Sequence, residues 1–120
     1  MTAEELLALK DQGEASKVQV KERILDKYDI GCELVAFSNT HGGELVIGIN
    51  DKTGKMNPLS YQEVQETTNL LSNMASENVV PSILLDIETI AIQGGNVVIA
   101  HIKEGLNKPY HDNKGIKKIK

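Results

Sequence analysis

Tryptophan is absent from this chain of 120 residues, phenylalanine occurs once and tyrosine three times. The core must therefore be aliphatic, and the shortage of rings argues against an aromatic platform for stacking unpaired bases. Cysteine occurs once, at Cys32, which excludes an intrachain disulfide and makes a cytoplasmic location the expectation. In its apolar helical context Cys32 reads as a core thiol. No apolar run approaches the ~20 residues of a membrane span, so no membrane partner is expected, and the acidic N-terminus does not read as a signal peptide. Excess positive charge is also lacking. Thirteen Lys and Arg against 17 Asp and Glu give a formal charge of −4, so nucleic acid would have to be met by a local basic patch. The three histidines, His41, His101 and His111, have no metal-ligand spacing, and with one cysteine they exclude a zinc site. Nucleophile signatures, the dinucleotide fingerprint and the phosphate-binding loop are missing, and no cofactor is expected. Gly42-Gly43 follows a helix rather than preceding one, so it cannot aim a helix N-terminus at phosphate.

What is present fits one soluble domain over residues 1–120, with 40% apolar and 25% charged residues. Its organising stretch is AFSNTHGGELVIGIND, from Ala36 to Asp51. The glycines after Thr40-His41 offer the preceding helix a left-handed stop. Leu45, Val46, Ile47 and Ile49 then make a strand covered on both faces, in which Gly48 leaves room for a close neighbour. Upstream, Thr2 and Glu5 have capping-box spacing and begin a short helix from Ala3 to Lys10, which Asp11 to Gly13 end. Val18 and Val20 alternate with Lys17, Gln19 and Lys21 as in a half-buried strand. Ile24 and Leu25 anchor the polar connection that follows, and Asp29 caps the next helix. Downstream, residues 51–58 form a turn-rich loop, and Ser60 with Glu63 is a second capping box. It opens an amphipathic helix carrying Val64, Thr67, Thr68, Leu71, Met74 and Ala75. After Pro81, Ile83, Leu85 and Ile87 alternate as a strand, and a turn at Gly94 to Asn96 pairs it with Val97 to Ile102. Residues 103–115 read as a loop, and Ile116 to Lys120 as a strand cut short. A helix between the first two strands suggests a crossover. The order predicts an α+β sandwich with helices against one mixed sheet.

The basic residues concentrate late in the chain. Lys103, Lys108, Lys114, Lys117, Lys118 and Lys120 fall within the last 18 residues, with only Glu104 and Asp112 among them. That reversal of the overall sign is the footprint a phosphate-binding face needs, although lysines also keep an exposed edge strand soluble. Lys17 and Lys21 share a strand face and add to the patch. Asn107 and Tyr110 are candidates to donate hydrogen bonds to phosphate, the alternative for Tyr110 being a loop anchor.

Gly13-Glu14-x-Ser16, the Val-x-x-Lys of Val18 to Lys21, AFSNTHGG from Ala36, GINDKTGK from Gly48 and NKPY from Asn107 together span nearly the whole chain. This ordered set resembles the Alba-like DNA-binding domain shared by Schlafen proteins and many bacterial regulators. The resemblance implies the β-α-β-α-β-β topology of the Alba chromatin proteins, here preceded by a short N-terminal helix. It also implies an N-terminal part of a longer chain, although the family's following Arg-Gly element is missing. Some Schlafen relatives are metal-dependent ribonucleases, and their acidic residues fall on Glu14 and Asp51 here. A third acid of theirs falls on Gln19 and their phenylalanine on Val20. An amide cannot supply the charge that holds a divalent metal, so Glu14 and Asp51 are weakened as metal ligands. Glu22 lies three residues along the strand from Gln19 and is expected to face the other side.

These readings converge on a non-enzymatic nucleic-acid-binding domain of a bacterial transcriptional regulator. Its expected partner is duplex DNA, contacted through Lys17, Lys21, Lys103, Asn107, Lys108, Tyr110, Lys114, Lys117 and Lys118. No catalytic residue is expected. Two alternatives stay open: an interaction or homodimerisation module, which the acidic overall charge favours, and a Schlafen-type ribonuclease.

Overall fold

The computed structural model describes residues 18–25, 27–80, 83, 85–105 and 111–112. The helix expected from Ala3 to Lys10, the turn after it and the strand from Ile116 lie outside the described residues. The alternation around Val18 produces β1 (Val18–Lys21), whose two valines are buried while Gln19 and Lys21 are half-exposed. Helix α1 (Lys27–Asn39) follows and buries Ile30, Leu34, Val35 and Phe37. It begins earlier than expected, so Asp29 lies within the helix instead of capping it. Leu25 is no anchor. It is 95% exposed, because only Ile24 of the pair turns onto the core as the chain bends toward α1.

The glycine stop holds. Gly42 has φ +77°, and the Thr40 hydroxyl donates to the carbonyls of Ala36 and Phe37 at the end of α1. The chain then enters β2 (Gly42–Ile47), where Leu45, Val46 and Ile47 are wholly buried. Gly48, at φ +121°, leaves the space expected of it: a Cβ there would stand 3.0 Å from Leu59 Cδ1 and 3.3 Å from Val97 Cγ2.

Ser60 caps α2 (Tyr61–Asn73), and both halves of the capping box form. Thr67 and Leu71 face inward, and Met74 and Ala75 continue the stripe into a π-helical turn over Met74–Asn78. A two-residue strand, β3 (Val79–Val80), comes next and pairs with β6 (His111–Asp112) in a small separate sheet. Neither was expected. Strand β4 (Asp86–Ile92) starts later than its alternation suggested. The reason is that the Ile83 N–H donates to the Ala75 carbonyl, which ties the preceding segment to the π-helical turn. The hairpin turns at Gln93-Gly94, one residue earlier than expected, and β5 (Gly95–Lys103) returns along β4.

The main sheet runs β1-β2-β5-β4, with β1 and β2 parallel and the other pairs antiparallel. It is mixed, with two helices packed on it, as an α+β, Alba-like sandwich requires. Register sorts the side chains. Leu45, Ile47, Val98, Ala100 and Ile102 join the α1 and α2 residues in one core, and Val18, Val20, Val46, Ile90, Val97 and Ile99 make a second on the opposite face. Among the described residues, no helix is long and apolar enough to cross a membrane.

Candidate functional site

Because β1 and β2 are parallel, both release their chains at the same end of the sheet, where open sheets place their crevices. A cleft of about 370 Å³ lies there, lined by Lys21, Glu22, Arg23, Ile24, Leu25, Ile30, Asn50 and Asp51. A second concavity of about 300 Å³ shares Glu22 and Asn50 with it and continues to Thr53, Lys55 and Asn57.

The loop between these concavities is built by backbone hydrogen bonds. The Gly48 N–H donates to the Lys21 carbonyl at 2.8 Å, the Asn57 N–H to the Gly48 carbonyl at 2.7 Å and the Asn50 N–H to the Lys55 carbonyl at 2.9 Å. Asn50 Oδ1 accepts from the N–H groups of Lys52 and Thr53, and the Gly54 N–H closes on the Asn50 carbonyl. The result is a tight finger that holds Asp51, Lys52 and Lys55 exposed. On its other side stands Arg23, the only arginine of the chain. Its guanidinium donates to Glu63 at 2.9 Å and to the carbonyls of Glu22, Asn57 and Pro58, which joins β1 to the start of α2. The Glu63 carboxyl is held below its ordinary range, first by the Ser60 N–H and then by Arg23.

Of the residues proposed from sequence, Lys21 lines the cleft and Asp51 sits on its rim. Lys103 is elsewhere. It pairs with Gly42 at the start of β2, whereas Lys21 pairs with Ile47 at the end. Five residues separate these positions, roughly 17 Å along the strand, and register puts the two lysines on opposite faces. Around Lys103 lie His41, Glu44, His101 and Glu104, with His101 Nε2 2.7 Å from Glu88. Lys17, Asn107, Lys108, Tyr110, Lys114, Lys117, Lys118 and Glu14 lie outside the described residues. Gln19 is on the helix-side face of β1. Glu22 lies beyond the strand, where the bend brings it into the cleft with Asn50, whose Nδ2 is 3.5 Å from Glu22 Oε1. Among the described residues, no three carboxylate, histidine or cysteine side chains are grouped to hold a metal.

Lys52 and Lys55 are the cationic residues that sequence reasoning passed over. Their signal was present in the turn-forming Asn50 and Gly54, which bracket Lys52 and precede Lys55 in a projecting loop.

A family model described as Schlafen, AlbA_2 matches residues 14–119. No curated protein matches the chain. Among solved structures, the N-terminal domain of a RecG-related protein from Nitrosomonas europaea is similar at TM-score 0.68 and 16% identity, covering 98% of this chain and 85% of that one. The DIP2311 protein from Corynebacterium diphtheriae is similar at TM-score 0.64 and 17% identity; the match covers 98% of this chain and 25% of that protein.

Proposed function

As the chain belongs to the Schlafen AlbA_2 family, we propose that it binds nucleic acid, with duplex DNA as the first expected partner, through contacts to phosphates. The observation that carries this reading is the finger from Asn50 to Lys55, which holds Lys52 and Lys55 exposed with Asp51 as its one acid. In a chain of net charge −4, cations gathered on one projecting loop are what a polyanion can engage. The lysine-rich segment after Lys103, with Asn107 and Tyr110 as hydrogen-bond donors, and Lys17 are proposed as further phosphate contacts. The reading is supported by the structural neighbour, whose name relates it to an ATP-dependent DNA helicase. A role within a larger bacterial regulator is proposed with it, and the quarter-length match to the corynebacterial protein suits a module of a longer chain.

Charge reversal tests this proposal. Lys52→Glu with Lys55→Glu should weaken duplex binding in fluorescence anisotropy and flatten its log–log salt slope by about 1.8, at about 0.9 per phosphate. Lys117→Glu with Lys118→Glu should act in the same direction. Affinity and slope unchanged in both pairs would overturn the proposal.

A second reading rests on Glu22 and Asp51 lining one cleft, two carboxylates that a divalent cation can use. Metal-dependent RNA cleavage is therefore worth an assay. With Gln19 where related nucleases carry an acid, no cleavage is expected with Mg²⁺ or Mn²⁺. Cleavage by the parent that Asp51→Ala abolishes would favour the nuclease over the binder.

A further inference from the structure

Strand β4 closes one side of the main sheet, and among the described residues no strand lies beyond it. Its hydrogen-bonding sense follows from its partner. The Asn96 N–H donates to the Leu59 carbonyl and the Asn96 carbonyl accepts from the Leu59 N–H, so both groups of Asn96 point away from β4. Asn96 pairs with Ala91, so Ala91 and Asn96 are a non-bonded pair of the ladder. Alternation then assigns Asp86, Glu88, Ile90 and Ile92 to bonds with β5. Ile87, Thr89 and Ala91 direct their N–H and C=O groups outward from the sheet edge.

Exposed edges of this length are ordinarily blunted by lysine, proline or a bulge. Residues 86–92, DIETIAI, contain no lysine and no proline. Their two charges, Asp86 and Glu88, fall on positions bonded to β5, with Glu88 held 2.7 Å from His101. All seven pair with β5 without interruption. By contrast β1, at the other side of the sheet, has four residues and ends in Lys21. Thr89 and Ala91 are exposed, so neither α1 nor α2 stands over that end of the strand.

We propose that the outer edge of β4 binds a second copy of this chain by antiparallel strand addition about a two-fold axis at Thr89, which joins two four-stranded sheets into one. The argument for a second copy is self-complementarity. With Thr89 opposite its own counterpart, Ile87 faces Ala91 and Ala91 faces Ile87. These three pairs carry the outward groups and exchange about six hydrogen bonds. The same register sets Glu88 against Ile90 and Asp86 against Ile92, so no carboxylate meets its counterpart. Moving the axis one residue, to Glu88, would set that carboxylate against its counterpart, and moving it two, to Ile87, would set Asp86 against Glu88, which penalises both alternatives. On the helix-side face the contact presents the small side chains of Thr89 and Ala91, which leave space for the neighbour. This inference does not depend on nucleic-acid binding.

The test uses the native chain and one edge variant. Sedimentation equilibrium should show the mass doubling as concentration rises toward ~1 mM. Amide exchange followed by NMR should show Ile87, Thr89 and Ala91 gaining at least about tenfold protection over the same range. Thr89→Pro removes an outward N–H and leaves the bonds to β5 in place, so it should keep the fold by circular dichroism and stay monomeric. A chain monomeric at ~1 mM, or a dimer whose three edge amides gain no protection, would overturn the proposal. So would a folded Thr89→Pro variant that still dimerises. Should that variant fail to fold, the exchange measurement on the native chain decides.

Discussion

Gly42 and Gly94 are both left-handed, at φ +77° and +90°, yet their surroundings differ. A Cβ at Gly42 would run into the Ile102 carbonyl and approach the Glu104 nitrogen to 2.9 Å, both backbone atoms that cannot swing away. At Gly94 the nearest atom is Pro58 Cγ at 3.7 Å, an ordinary contact. Gly94→Ala should therefore cost about 1–2 kcal/mol, the strain of a side chain at positive φ alone. Gly42→Ala should cost clearly more, and chemical denaturation of the two variants checks the order. Equal losses would mean that β5 does not pass where it is placed. At this scale the sequence was legible wherever a residue acts on its near neighbours, as the glycine stop does. It was not legible where the partner is distant. Arg23 bonds to residues 34 to 40 positions away, and nothing around Arg23 signals those contacts.

Helix α2 shows what an element gains from such a tie. Its start is held by Ser60 and Glu63 in the capping box, and Glu63 is shared with Arg23. The carboxyl is held below its ordinary 4.5 by the Ser60 N–H and Arg23, so the folded state binds its proton less readily than the unfolded chain. The stabilisation is thus present above pH 4.5 and is lost as pH falls through the lowered folded value. Glu63→Gln should lower Tm at neutral pH, and the gap between variant and parent should narrow as the pH drops below about 4.5. A gap independent of pH would show that the charge contributes nothing. The capping box was readable because its spacing is local, as were the buried run of β2 and the alternation of β1. The two-residue strands β3 and β6 were not, since two residues have no period. The start of β4 was misplaced because Ile83 and Leu85 continue an apolar alternation while packing on the helix-side core.

For the whole molecule, the parallel pair β1 and β2 decides which distant residues meet. It brings Lys21, Glu22 and Arg23 to the loop of Asn50 to Lys55. The antiparallel pairing of β5 with β2 sends Lys103 to the far end, beside Glu44 and Glu104. A linear count of lysines could find the late basic segment but not this division, because charge clustering in space depends on strand order and register. The nucleic-acid proposal predicts that affinity for duplex DNA is dominated by counterion release. The measurement that tests it most directly is the salt dependence of duplex binding by the unmodified chain. With ~4 phosphate contacts, log Kobs against log salt should be linear with a slope near −3.6. No binding at ~50 mM salt, or a slope near zero, would contradict the proposal.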